Sequence, residues 1–180
     1  MKRNRRSIRL KGYDYSRSGG YFITVCVRNR ECLFGEIRDG EMRLNEWGRI
    51  VADEWMKTAR IRNEIELDEW VIMPNHFHGI IIVGATGRSP VHGAGRSPVQ
   101  GAGGAGGAAG PKSKSIGAVM AGFKSAVTKR INMIRKTPGA RIWQRNYWEH
   151  IIRGELELSR IREYIRNNPG KWESDRHYPT

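Results

Sequence analysis

Two histidines one residue apart, His76 and His78, sit in the phrase VIMPNHFHGIIIV. The residues that follow, Gly79-Ile80-Ile81-Ile82-Val83, are mostly β-branched and read as a strand. Strand side chains alternate faces. His76 and His78 therefore point to one side, about 6–7 Å apart along the strand, and Phe77 points to the other. Two imidazoles so placed can grip one divalent metal ion. Taken alone, His-x-His is a common spacing, and a partly solvated pair at a strand end reads the same way.

A second pair lies near the C-terminus. Leu158, Ile161 and Ile165 mark the buried stripe of a helix over 155–168, stopped by Pro169. Tyr164 is at the edge of that stripe and Asn168 stands one turn further on. Residues four apart are neighbours on a helix surface, so both can face one point. In isolation this is a tyrosine flanking a core and an asparagine near a helix end. Beside a two-histidine metal site and a basic surface, it supplies the parts of phosphoryl transfer by a tyrosine. The metal polarises a phosphate and stabilises charge on its oxygens. Tyrosine, with a pKa of about 10, is a weak nucleophile until its electrophile is activated.

The chain has 180 residues, enough for one domain with a real core. Its 32 Lys and Arg outnumber 18 acids, giving a net charge of +14. That excess calls for a polyanionic partner. Nucleic acid is favoured over a membrane, since no basic amphipathic helix dominates and no lipidation signal is present. No signal peptide or bilayer-length apolar run is expected. Cys26 and Cys32 have no metal spacing, and a reducing cytosol fits them.

The elements that must position these residues follow from pattern. Tyr21–Asn29 reads as a strand, and Asp39-Gly40 as the turn of a hairpin. Asn45 caps a helix with Trp47, Ile50, Val51 and Trp55 on one stripe. The phrase IELDEWVIM is the next strand, and Pro74-Asn75 turns it back into the histidine strand. A helix over 115–136 carries Ile116, Val119, Met120, Phe123, Val127, Ile131 and Ile134 on its apolar face. Lys124, Lys129, Arg130, Arg135 and Lys136 decorate the rest. RIWQRNYWEHII is a last extended segment. The order predicts an α+β, ferredoxin-like antiparallel sheet with helices packed on it.

Two segments flank this frame. Arg3, Arg5, Arg6, Arg9 and Lys11 make a basic arm over 1–17 that can track phosphates. Residues 84–110 hold 10 of the 22 glycines and a direct repeat, GRSPVHGA at 87–94 and GRSPVQGA at 95–102. Two eight-residue copies cannot build a solenoid, and the composition reads as a flexible insertion. His92 reads as inert, because the second copy carries Gln100.

MPNHFHGIIIV resembles the His-hydrophobe-His motif of the HUH single-tyrosine transposases. WQRNYWEHIIRGELELSRIREYIRNNPGKW is similar to the C-terminal signature of one branch, the REP-associated tyrosine transposases, and YFITVCVRNRECLFGEI to its first strand and hairpin. The resemblance covers nearly the whole chain apart from the insertion. It implies the HUH endonuclease fold, with His76 and His78 as metal ligands and Tyr164 as the nucleophile. Asn168 falls where a third ligand is expected, and Mg²⁺ or Mn²⁺ is the implied metal. It further implies cleavage and joining of single-stranded DNA at hairpin-forming palindromic repeats, through a 5′-phosphotyrosine link, in DNA transposition. The arm and Lys124, Lys129 and Arg130 are candidates for gripping the DNA. The implied setting is a bacterial cytoplasm, on the nucleoid. The Gly-rich insertion departs from the compact connection typical of the branch, and any longer tail after Trp172 is expected to be absent.

Rival readings remain. One is a domesticated DNA-binding protein that does not cut. Another is a replication initiator or relaxase-type nickase, whose usual helicase companion has no room here. A third is an unrelated His-x-His metal hydrolase. The sequence leaves open whether the protein is a monomer or a homodimer that exchanges the Tyr164 helix.

Overall fold

The computed structural model describes residues 18–84 and 115–179. The basic arm, with Arg3, Arg5, Arg6, Arg9 and Lys11, and all of the insertion after Gly84 lie outside the described residues. Six strands and three helices follow one another as β1 (Gly19–Cys26), β2 (Gly35–Arg38), β3 (Glu41–Leu44), α1 (Glu46–Ile61), β4 (Ile65–Met73), β5 (His76–Val83), α2 (Ile116–Arg135), β6 (Trp148–Ile152) and α3 (Glu155–Asn167). A 3-10 turn, Pro169–Ser174, leads into the C-terminal segment.

Four strands make one sheet in the order β4–β5–β1–β6, every neighbour antiparallel. Counted in chain order within that sheet, they run second, third, first, fourth. That is the ferredoxin-like arrangement the sequence predicts. β2 and β3 form a separate hairpin about Asp39-Gly40, both with positive φ, as a tight two-residue turn requires.

Period-two alternation decides what each face carries. On one face Tyr21, Ile23 and Val25 of β1 and Phe77 and Ile81 of β5 meet Ile50, Val51 and Trp55 of α1. Val119, Met120, Phe123, Val127 and Ile131 of α2 complete this main core. Gly79 belongs here for a steric reason: a Cβ would stand 2.7 Å from the Trp55 ring. On the other face Phe22 and Ile80 pack against Ile165, flanked by Leu158 and Ile161 of α3. The same face carries Thr24, His76 and His78, so α3 is laid across the strands that hold the histidines.

The helices start where their caps do. The Asn45 side chain accepts from the Gly48 N–H, and that of Ser115 from Ala118. α2 closes on Lys136 in the left-handed region, whose N–H reaches the Asn132 and Met133 carbonyls.

Three expectations are corrected. The first strand ends at Cys26 rather than Asn29, because Arg28–Arg30 forms a 3-10 turn with Asn29 and Arg30 at positive φ. Only Trp148–Ile152 of the last extended segment is a strand; Trp143 makes a lone bridge to Val27. Ile134 is not in the core but half exposed, since the α2 stripe drifts off the sheet in its last turn.

Candidate active site

β5 places both imidazoles in the second face's interior, where His76 and His78 are wholly buried. Their Nε2 atoms are 3.1 Å apart. The other ring nitrogens explain why they face each other. His76 Nδ1 lies 2.8 Å from Asn75 Oδ1. The Asn75 amide nitrogen donates to the Arg30 and His177 carbonyls, so its oxygen is the acceptor and His76 Nδ1 carries the proton. His78 Nδ1 lies 2.8 Å from Thr24 Oγ1, its partner across β1. His76 thus presents a bare Nε2 lone pair toward His78. Burial drives the His76 pKa down to about 3, with His177 next in effect. Burial, then His76, holds His78 well below its ordinary value as well. Both rings are neutral, the form that ligates a metal.

α3 brings Tyr164 over this pair. Its hydroxyl is 3.3 Å from His78 Nε2, and its ring meets the His78 ring edge-on at 5.3 Å. Tyr164 is half-buried, and Phe22 supports the ring from below. Burial, then the Asp175 charge, raises its pKa, while Arg176 and the Asn168 amide pull the other way. Asn168 is buried at the end of α3. Its nitrogen donates to Asp175 at 3.3 Å, and its oxygen is buried with no hydrogen-bond partner.

The C-terminal segment supplies groups the sequence did not flag. Asp175 places a carboxylate so that its ligand atom and those of His76 and His78 lie within 4.8 Å of one another. His177 is buried with its ring 4.6 Å from that of His76. Its backbone is tied to the site through Asn75, and Trp172 packs nearby, 6.0 Å from His76. Tyr178 rests on Trp172, their ring centroids 5.2 Å apart.

A latch holds α3 in place. β4 has a bulge between Leu67 and Trp70, which inserts Asp68 and Glu69 beside the helix. Arg162 grips Asp68 with two bonds, 2.9 and 2.5 Å, and Arg166 approaches Glu69 at 3.6 Å. Arg162 lies two residues before Tyr164, so the latch ties the stretch of α3 that carries the hydroxyl to β4.

The donors suit a divalent ion. Two bonds of about 2.1 Å from one ion, meeting at a right angle, span about 3.0 Å, close to the gap between the two Nε2 atoms. The Asp175 carboxylate and the orphaned Asn168 oxygen add hard oxygen donors beside the imidazoles.

The basic residues named from sequence part company. Lys129 is exposed on α2. Lys124 donates to the Gln144 and Arg145 carbonyls. Arg130 is paired with Glu54 at 2.7 Å and Asp53 at 3.3 Å on α1. No described helix is long and apolar enough to cross a membrane.

An uncharacterised protein of Haemophilus influenzae is 43% identical over 178 residues, 97% of this chain and 93% of the relative. The two belong to one family. No family model matches the chain. Among solved structures, a REP-associated tyrosine transposase bound to a REP hairpin overlays with a TM-score of 0.57 at 22% identity. The match covers 95% of this chain and 74% of that one. The chain therefore shares the fold of that transposase. A looser overlay, TM-score 0.46 at 20% identity, is with a transposase candidate from Deinococcus radiodurans, over 93% of this chain and 97% of that one.

Proposed function

We propose that this protein is a metal-assisted tyrosine transposase that nicks and rejoins single-stranded DNA. The observation that carries the reading is the Tyr164 hydroxyl, 3.3 Å from His78 Nε2 and in the pocket shared by His76, Asp175 and Asn168. A divalent ion held by His76 and His78, with oxygens of Asp175 and Asn168, would supply Lewis-acid polarisation of the scissile phosphate. The resemblance to the tyrosine transposases points to Mn²⁺ or Mg²⁺, and the two imidazoles would hold Mn²⁺ the more tightly of the two.

The residues themselves do the rest. Burial keeps the Tyr164 phenol protonated until a phosphate arrives. Its hydroxyl lies 3.3 Å from His78 Nε2, beside the atom that would hold the ion, and its proton passes to water as the new bond forms. Tyr164 Oη then bonds to phosphorus as the bond from phosphorus to the 3′ oxygen breaks. That oxygen leaves with a proton as a 3′-hydroxyl, and the 5′-phosphate remains on Tyr164. In the reverse step a 3′-hydroxyl attacks the phosphotyrosine, and the phenol is restored. One ester bond is exchanged for another, so no nucleotide triphosphate is consumed.

The solved neighbour is bound to a REP hairpin. For this chain we propose a hairpin with single-stranded flanks as substrate. The arm residues Arg3, Arg5, Arg6, Arg9 and Lys11 and the basic surface of α2, with Lys124, Lys129 and Arg130, are the proposed DNA contacts.

The test is a nicking assay on such hairpins and on fully paired duplexes of the same sequence. Hairpins should be cut and duplexes spared. Tyr164→Phe, His76→Ala with His78→Ala, and excess EDTA should each lower cleavage by at least about 10³-fold while DNA binding persists. Binding without cleavage by the wild type in Mn²⁺ would favour the non-cutting regulator instead.

A further inference from the structure

A cleft unlike the tyrosine site opens on the far side of α2. Its volume is about 780 Å³, room for one or two nucleotides. The helix and the segment 138–145 form its two walls, and both come from the sequence in a readable way. Lys124, Thr128, Asn132 and Lys136 recur every four residues, on one stripe of α2. Two of them staple the opposite wall. The Asn132 amide donates to the Ala140 carbonyl at 2.8 Å, and Lys124 Nζ to the Gln144 and Arg145 carbonyls at 2.7 and 3.2 Å. The staples are eight residues apart, about 12 Å along the helix. They hold the segment as a fixed wall at both ends and leave the space between open.

The lining has a consistent chemistry. Met133, Pro138, Ile142 and Trp143 give it an apolar body. Lys129, Lys136, Arg141 and Arg145 are exposed on its rim, and no acid lines it. An apolar body ringed by cations fits a base below and phosphates above. An acidic peptide would use the rim and waste the body, and a lipid-like ligand would waste the rim.

The cleft also leads to the chemistry. Its wall joins the end of β1: the Gln144 N–H donates to the Cys26 carbonyl, and Trp143 bridges to Val27. Cys26 pairs with His76 across the sheet, and its sulfur is 3.8 Å from His177 Nδ1. The cleft and the tyrosine pocket therefore flank one strand end.

We propose that this cleft binds unpaired nucleotides of the DNA strand that Tyr164 cuts, bases against the exposed Met133 and Pro138 and phosphates on Lys129, Lys136, Arg141 and Arg145. The proposal rests on the DNA-cleaving reading and adds a second contact to the same strand. It places sequence discrimination of unpaired nucleotides here, away from the reacting phosphate.

The probe is a single-stranded oligothymidylate with one 5-iodouracil, used with the full-length protein. Ultraviolet crosslinking followed by peptide mass spectrometry should place the crosslink within 129–145. Lys129→Glu with Arg141→Glu should weaken oligothymidylate binding at least tenfold. The same pair should flatten the dependence of log Kd on log salt by about one to two contacts' worth. Both residues are exposed, so unchanged circular dichroism and melting are expected. Met133→Lys, a milder intrusion into the body, should reduce the crosslink yield. Crosslinks confined to other segments, or unchanged affinity in the charge-reversed protein, would overturn the cleft and leave the tyrosine reading intact. Failure of the wild type to bind any single strand would overturn both.

Discussion

At the scale of single residues, Asn75 and Thr24 orient the rings of His76 and His78, which β5 places on one face. Asn75 fixes the protonated nitrogen of His76 and also ties down the His177 backbone. Losing that support should loosen the proposed metal site without removing any of its proposed ligands. Asn75→Ala is expected to weaken Mn²⁺ binding about 10- to 100-fold, read by titration calorimetry. Unchanged affinity would mean that the amide is only a turn residue. Much of this site was legible in sequence. The histidines are two residues apart in a strand, and Tyr164 and Asn168 four apart in a helix, so local periodicity puts each pair on one face. Asp175 and His177 were not legible. They arrive by a tertiary route, through the packing of Trp172 and the Asn75 bond, and no local period links them to β5. Asn75 itself read only as the second residue of a Pro-Asn turn.

At the scale of elements, α3 carries Tyr164 to the histidines. Its apolar stripe is short, with only Ile165 fully buried, so the Asp68–Arg162 latch bears on its seating. Asp68→Asn should lower nicking about tenfold, with the metal affinity unchanged. Equal activity would show that packing alone aims Tyr164. The latch also predicts a pH dependence. The bond to Arg162 holds the Asp68 carboxyl below its ordinary 3.8. A carboxylate held down gives stability that is whole above its unfolded pKa and is lost as pH falls through the lower folded value. The melting difference between wild type and Asp68→Asn should be full above the ordinary carboxylate value of 3.8 and shrink as pH falls below it. A difference that grows on acidification would contradict the latch. The elements were largely predictable, because caps such as Asn45 and Ser115 and the apolar stripes are written locally. The β4 bulge was not, since IELDEWVIM reads as an unbroken strand and the extra residue appears only once β5 sets the register.

At the scale of the whole molecule, the chain carries a net charge of +14. The Gly-rich insertion links β5 to α2, and loop closure depends weakly on length. Deleting 87–109 should leave the melting temperature within a few degrees and nicking within about twofold. Loss of DNA binding in a still-folded deletion would instead make Arg88 and Arg96 contacts. The central claim is covalent, and mass spectrometry tests it most directly. The protein would be reacted with a hairpin bearing single-stranded flanks in Mn²⁺, digested, and searched for a DNA-bearing peptide. The account predicts one adduct, on Tyr164, joined through the 5′-phosphate and absent from Tyr164→Phe. An adduct on Tyr147 or Tyr178, a 3′ linkage, or cleavage with no adduct would contradict it.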